Sequence, residues 1–121
     1  MRVDVNADLR AIEGAEVTAI TLDYRVSLSL IDPGDPQRLG ASLILGTPFA
    51  YRDSEVDAEE PSTMAECWRL LRRKIVAASA DEDLNLSLSF DDGSSLQVDR
   101  NEQYEAWELI GRGVRGVLVG P

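Results

Sequence analysis

The chain has 121 residues, of which 44% are hydrophobic and 28% are charged, and these values favour one folded, soluble domain over residues 1–121 and exclude a disordered chain. Its 22 acidic and 12 basic residues give a net charge of −10, which repels phosphate backbones and anionic lipids. We therefore expect neither nucleic acid nor a membrane as a partner, and the acidity indicates either a basic protein partner or simple solubility.

Two scarce residue types limit the chemistry that the chain can perform. Histidine is absent, which excludes Ser–His and Cys–His nucleophiles and the commonest ligand of transition metals. Cys67 is the single cysteine, so no disulfide forms within the chain, and its apolar neighbours predict a buried thiol. We predict a protein that is not an enzyme, with no catalytic residues, metal or cofactor, and we expect a cytoplasmic location because no signal-peptide pattern is present.

The first predicted element is a short helix. Residues 7–14 place Leu9 and Ile12 three positions apart, and Asn6 or Asp8 can cap the first turn. A glycine at the end of this segment supplies a stop signal. The pattern predicts one or two helical turns with an apolar side.

Strands follow the helix. In residues 17–32, VTAITLDYRVSLSLID, apolar residues and serines alternate between 26 and 30, with the period of two that marks a half-buried strand. Asp23 favours a turn within this run. The run DPGDPQRLG at 32–40 contains two prolines and two glycines and predicts a loop, after which a strand resumes at 41–46.

The middle of the chain predicts an acidic linker and then the main helix. RDSEVDAEEPST at 52–63 has no periodicity, and Thr63 with Glu66 forms a capping-box pattern for a helix over 64–74. The residues expected to face the core are Met64, Cys67, Trp68 and Leu71. Cations crowd the end of this segment, at Arg69, Arg72, Arg73 and Lys74. They complement the helix dipole, and the alternative is a functional basic patch.

One alternating pattern of apolar residues and serines occurs twice in the sequence. VSLSLID at 26–32 returns as LSLSFDD at 86–92, an offset of sixty residues, and a second set of matches follows at an offset of fifty-three. That second set pairs Gly40, Ser42 and Leu43 with Gly93, Ser95 and Leu96. Because an isolated hairpin is marginally stable in water, we interpret residues 8–53 and 66–109 as two copies of a helix-plus-hairpin unit that enclose one core.

The tail predicts a further hairpin over 104–119, turning at a Gly-Arg-Gly sequence. Alternation along its first strand places Trp107 and Leu109 on one face and Tyr104 and Glu108 on the other. The predicted fold is α+β: an antiparallel sheet, either strongly curved or barrel-like, that is built from the duplicated unit and has the 64–74 helix packed on it.

Two segments of the second half, SLSFDDGSSLQV at 87–98 and YEAWELIG at 104–111, carry a resemblance, and VTAITLDYRVSLSL at 17–30 adds to it. On these residues the chain resembles the DUF6188-like group of small, mostly actinobacterial proteins of unknown function. The resemblance covers most of the chain and implies no catalytic residue, because the group has no assigned activity. By analogy with other small acidic proteins of such genomes, it implies an immunity protein that neutralises a secreted toxin.

These observations favour an acidic domain that binds another protein, with a small-molecule-binding or self-associating module as the alternative. The residues expected to contact a basic partner are Asp53, Glu55, Asp57, Glu59, Glu60, Tyr104, Glu105, Trp107 and Glu108. Because Tyr104 and Trp107 lie on opposite faces of their predicted strand, at most one of them enters the core, and the competing interpretation is that the exposed one only packs at a sheet edge. A homodimer is also consistent with the pattern, because outer strands need covering.

Overall fold

Two five-stranded antiparallel sheets make up most of the structure, a computed structural model that describes residues 4–121. The strands are β1 (Glu16–Leu22), β2 (Val26–Ile31), β3 (Gly40–Leu45), β4 (Phe49–Tyr51), β5 (Ser54–Val56), β6 (Ile75–Ala80), β7 (Leu86–Phe90), β8 (Ser95–Val98), β9 (Trp107–Arg112) and β10 (Val117–Val119). The helix α1 (Val5–Ala11) and two 3-10 helices (Pro61–Ala65 and Cys67–Leu70) complete the fold. The order of strands is β1-β2-β3-β9-β10 in the first sheet and β5-β4-β8-β7-β6 in the second.

The predicted single barrel-like sheet is wrong, because the chain changes sheets twice. Residues 46–48 carry the chain from β3 in the first sheet to β4 in the second, and residues 99–106 carry it back from β8 to β9. Each sheet therefore keeps its own two edges and neither closes on itself. Pro48, which cannot donate to a strand ladder, stands at the first of these changes.

Each sheet combines a three-stranded meander with a hairpin from the other half of the sequence. β1-β2-β3 and β6-β7-β8 are the meanders, and both have a register shift in their first pair of strands. The two Ser-Leu phrases form their middle strands, β2 and β7. The hairpin β4–β5 pairs with β8 of the second meander, whereas β9–β10 pairs with β3 of the first.

One hydrophobic core lies between the sheets. Burial alternates along the strands, so that each sheet turns one face inwards and the two inner faces contribute to a single cluster. Trp107 belongs to this core with 1% of its surface exposed, and its Nε1 donates to the Leu84 carbonyl at 3.0 Å. The Tyr51 hydroxyl forms a buried hydrogen bond of 3.1 Å with the Ser94 hydroxyl.

The predicted main helix at 64–74 is also wrong. Residues 61–70 form two 3-10 helices, and Met64, Cys67 and Leu70 are buried at spacings of three. Trp68 and Leu71, which were expected in the core, are 44% and 38% exposed. A 3-10 helix has three residues per turn, so every third side chain lies in one row, whereas the prediction assumed the α-helical period of 3.6.

The predicted capping box does not form, because the hydroxyl of Thr63 has other partners. Its Oγ1 accepts the N–H of Asp57 at 2.8 Å and lies 2.8 Å from the Glu60 carbonyl, to which it can donate. The arginines in and after the second 3-10 helix lie near acids: Arg69, within the helix, contacts Glu66 at 3.3 Å. Arg72 lies 3.8 Å from a Glu16 oxygen and Arg73 lies 3.7 Å from an Asp91 oxygen.

The N-terminal helix forms, although with a different cap. α1 begins after Asp4, whose carboxylate accepts the N–H of Ala7 at 3.2 Å. Asp8, expected as a cap, is buried instead and accepts the backbone N–H groups of Arg115 and Gly116 in the β9–β10 turn, at 3.0 to 3.1 Å. Asn6, the other expected cap, exchanges two hydrogen bonds with Ala80 and so pairs α1 with the edge of β6.

Part of the predicted acidic linker is a strand. Residues 54–56 form β5 against β4, and Val56 is completely buried. The sharp turn before β5 places Arg52 and Asp53 at positive φ angles of 53° and 65°. Over residues 4–121 no helix is both long enough and apolar enough to cross a bilayer.

Candidate functional site

Two adjoining depressions on the surface are lined by two tyrosines and three acidic residues. The smaller has a volume of about 260 Å³ and the larger about 600 Å³, and both are lined by Tyr24, Gly46, Glu59 and Tyr104. Asp57 lines the first and Glu105 the second. We call this site the tyrosine cleft and define it by Tyr24, Asp57, Glu59, Tyr104 and Glu105.

Tyr24 is placed by the turn between β1 and β2. The Asp23 carboxylate accepts the N–H of Arg25 at 2.7 Å, which fixes a tight turn with Tyr24 at its tip. Tyr24 is 75% exposed, and the Arg25 guanidinium lies 5.1 Å from the centre of its ring. This distance is within the range of a cation–π interaction.

Tyr104 is placed by the loop that returns the chain to the first sheet. The side-chain oxygen of Asn101 accepts the N–H groups of Gln103 and Tyr104, at 2.7 and 3.0 Å, and leaves Tyr104 64% exposed. This loop lies against Gly46, whose N–H donates to the Ala106 carbonyl at 2.9 Å. A Cβ at position 46 would collide with the Glu105 carbonyl, so only glycine allows this close approach.

The segment between β5 and the 3-10 helices supplies the acidic wall. Thr63 holds the backbone of Asp57, and the Asp57 carboxylate in turn accepts the N–H of Glu59 at 3.0 Å. Glu59 is exposed, whereas Asp57 and Ala58 are half-buried. Two carboxylates therefore stand on a fixed backbone opposite the two tyrosines.

A separate groove lies beside the cleft, along β4 and β5. Its volume is about 530 Å³ and it is lined by Asp53 and Glu55, two of the expected contact residues. Pro48 lines both this groove and the smaller depression of the tyrosine cleft, so the two sites adjoin. Glu60 is exposed but lines neither of them.

The last two expected contact residues lie elsewhere. Trp107 is buried in the core, so it offers no side-chain surface to a partner, and its role is to hold the start of β9. Glu108 points to the outer face of the first sheet and is half-buried. The prediction that at most one of Tyr104 and Trp107 enters the core agrees with these positions. However, Tyr104 precedes the strand instead of alternating with Trp107 along it.

The chemistry of the tyrosine cleft favours a cation. Tyrosine rings present a negative face to a positive charge, and the carboxylates of Asp57, Glu59 and Glu105 attract one from a longer distance. Arg25 provides an example within the chain, since its guanidinium lies on the Tyr24 ring. Its Nε is buried, and among the described residues it has no hydrogen-bond partner.

Several residues that line the two depressions were not singled out as site residues from the sequence, among them Tyr24, Gly46, Thr47 and Pro48. Tyr24 had a usable signal, because an aromatic residue after Asp23 in a predicted turn is expected at the surface. The other three had none, since they become part of the cleft only where β3 leaves the first sheet. Thr47 is half-buried, and its hydroxyl has no partner among the described residues.

Comparisons with known proteins bear on the family of the chain. The model of a family of unknown function, DUF6188, matches residues 8–121. A search of curated proteins and a search of solved structures return no match. The matched range includes every strand of both sheets and all five residues of the tyrosine cleft. The chain therefore belongs to DUF6188, a family of unknown function.

Proposed function

We propose that this protein is a non-enzymatic binding domain that recognises a basic protein through the tyrosine cleft. The observation that carries the proposal is the convergence of two exposed tyrosines with Asp57, Glu59 and Glu105 on adjoining depressions. Tyrosine is enriched at binding hot spots because it brings a large contact area with few rotatable bonds. Complementary charge adds speed and selectivity to the encounter.

The partner contact we propose is an arginine or lysine side chain that lies across Tyr24 or Tyr104, with its charge near Glu59 and Glu105. The neighbouring β4–β5 groove, with Asp53 and Glu55, extends the acidic surface for a partner larger than one side chain. With a net charge of −10, the whole chain also attracts a basic protein at long range. More specifically, we propose that the basic partner is a toxin that this domain neutralises.

Fluorescence anisotropy with a labelled Arg-Gly repeat peptide tests this proposal at low salt, where charge attraction is strongest. Replacing both Tyr24 and Tyr104 by alanine removes two exposed cation–π contacts worth about 0.5–1 kcal/mol each, so we expect Kd to rise roughly 5- to 30-fold. An unchanged Kd would show that the two tyrosines do not contact the peptide.

A matched pair of charge variants separates the cleft from general acidity. Glu59→Gln with Glu105→Gln removes two carboxylates at the cleft, and Glu82→Gln with Asp83→Asn removes two exposed carboxylates in the turn between β6 and β7. We expect the first pair to weaken peptide binding several-fold more than the second. Equal effects would mean that the peptide responds to net charge alone.

The toxin case needs a test of its own. A basic protein that is captured with this chain is expressed in a bacterial host with and without the chain, and we expect the chain to restore growth of the host. Growth that is not restored would contradict the toxin case.

A small-molecule site is the second candidate function, and one observation favours it. The smaller depression, about 260 Å³, is close to the lower limit of ligand pockets, and the unpartnered hydroxyl of Thr47 belongs to its lining. A thermal-shift screen of cationic metabolites tests this candidate, because a ligand that binds the folded state raises the melting temperature. No shift at millimolar ligand would exclude it.

We also propose that the two halves of the chain are copies of one unit. The support is the matching order of elements: a helical segment, a three-stranded meander and a hairpin, which occur once within residues 5–56 and once within 61–119. The pair Leu28 and Leu43 in the first meander corresponds to the pair Leu88 and Leu96 in the second. In an experimental structure, two meanders that fail to superpose by a two-fold rotation would contradict the duplication.

A further inference from the structure

The outer face of the first sheet is formed by the outward side chains of β1, β2, β3, β9 and β10. Its small residues, Ser27, Ser29 and Ser42, occupy neighbouring outward positions on β2 and β3. Around them stand the apolar side chains of Ile44, Ile110 and Leu118, of which Ile110 is 49% and Leu118 is 54% exposed. Most carboxylates of the described chain lie in turns and loops, so this face is low in charge for such an acidic protein.

The charges that do occur on this face stand in a regular order along β9. The outward residues of that strand are Glu108, Ile110 and Arg112, in positions opposite Ile44, Ser42 and Gly40 of β3. Arg112 crosses Gly40, where a Cβ would collide with its guanidinium, and donates to the Pro36 carbonyl at 2.7 Å. The strand thus presents a negative end and a positive end on either side of an exposed isoleucine.

This order of a negative, an apolar and a positive residue along β9 is self-complementary when a second copy runs in the opposite direction. We propose that the outer face of the first sheet binds the same face of a second copy, related by a two-fold axis that passes over Ile110 across the strands. In this arrangement β9 faces β9 of the second copy in the opposite direction, Ile110 meets its own counterpart, and each Glu108 faces an Arg112. An isologous contact of this kind uses the same patch twice and closes as a dimer.

The charges of this face favour a second copy as its partner. Two chains of net charge −10 repel each other through most of their surfaces, and the outer face of the first sheet offers a balanced pair of charges on β9. Two other charged groups border the face: Arg25 lies at the Glu108 end, and Glu16, beside Arg72, lies at the Arg112 end. Arg25 and Glu16 have opposite charges and lie at opposite ends of the face, so the two-fold axis places unlike charges opposite each other there as well.

The size of the face determines how strong the dimer is. Five strands about 4.8 Å apart, each about five residues long with a rise of about 3.3 Å per residue, give roughly 400 Å² per copy and about 800 Å² in total. Interfaces below about 1,200 Å² are characteristic of weak, reversible complexes. We therefore expect a monomer–dimer equilibrium that depends on protein concentration.

Sedimentation equilibrium of the full chain over a range of concentrations tests the dimer. Glu108→Arg alone and Arg112→Glu alone each place like charges opposite each other, and we expect each to weaken dimerisation at least ten-fold. The double variant carries both changes, restores opposite signs across the axis and is expected to dimerise again. A chain that stays monomeric at millimolar concentration, or a double variant that stays monomeric while both singles do, overturns the proposal.

Two further variants guard against misfolding and non-specific effects. Ile110→Ser makes this outward position polar and small, and it should shift the equilibrium towards monomer while the chain still unfolds cooperatively. Val76→Arg changes a 56% exposed residue on β6 of the other sheet and should leave dimerisation unchanged. An equal loss of dimer in Val76→Arg would overturn the assignment to the first sheet. The tyrosine cleft adjoins the Glu108 end of this face at Glu105, so peptide binding is measured at a protein concentration below that of dimerisation, where failure of the dimer leaves it unchanged.

Discussion

Asp8→Ala is expected to be among the most destabilising single substitutions of a polar side chain in this protein. The carboxylate is 4% exposed and accepts two backbone N–H groups of the β9–β10 turn, from Arg115 and Gly116. A hydrogen bond to a charged group contributes about 1.5–3 kcal/mol, so two bonds contribute about 3–6 kcal/mol. Removing the buried charge also relieves a desolvation cost of roughly a third to a half of that sum, which leaves a net loss of about 3 kcal/mol.

Urea unfolding measures this loss. With a slope of about 1.5 kcal/mol per molar urea, a loss of about 3 kcal/mol lowers the unfolding midpoint by roughly 2 M. Asp4→Ala is the matched control, because it removes an exposed cap of α1 and should cost about 1 kcal/mol. If Asp8→Ala costs no more than Asp4→Ala, the interpretation of Asp8 as the link between α1 and the C-terminal hairpin is refuted.

Three other predictions test the core and the pH dependence. Burial raises the pKa of the Cys67 thiol to about 11, so Ellman's reagent should react slowly with the native protein and at once after unfolding, and rapid native reaction would contradict the burial. Leu70→Ala should cost about 2–5 kcal/mol and Leu71→Ala less than about 1 kcal/mol in urea unfolding, and equal losses would contradict the 3-10 register. The hydrogen bond from the Ser94 side chain, followed by that from its N–H, lowers the pKa of Asp92 below 3.8, so this carboxylate stabilises the folded state above that pH and stops doing so as pH falls through the lowered value. The stability difference between wild type and Asp92→Asn should therefore be largest near neutral pH and vanish in acid, and a difference independent of pH would exclude the cause given.

The strands could be predicted from the sequence because their signals are local. Alternation of apolar residues with serines located β2 and β7. The assignment of strands to sheets could not be predicted in this way. It depends on where the chain leaves β3 and β8, and strand periodicity is the same whichever sheet a strand joins.

The errors in the helical segments have a common physical cause. Met64, Cys67 and Leu70 fit a spacing of three, and Met64, Cys67, Trp68 and Leu71 fit the α-helical period as well. Periodicity over fewer than a dozen residues does not separate the two periods. Asp8 was misassigned for a similar reason, since an aspartate near a helix start resembles a cap whether or not a distant turn requires its oxygens.

The candidate site was half predictable. Acidic composition and an aromatic residue between acids pointed to Asp57, Glu59, Tyr104 and Glu105, which do line the tyrosine cleft. Tyr24 stands eighty residues from Tyr104 in the sequence, and only the pairing of β3 with β9 brings them to one cleft. Trp107 is distinguished from Tyr104 by its place in a strand, which composition does not reveal.

Mapping the binding site by nuclear magnetic resonance tests the central claim most directly. On titration of the 15N-labelled protein with the Arg-Gly peptide, we predict that the largest amide shifts cluster at Tyr24, Gly46, Glu59 and Tyr104. Amide shifts spread evenly over the acidic turns at 81–83 and 91–93, with none concentrated at the cleft, would contradict the claim that this site recognises a basic partner.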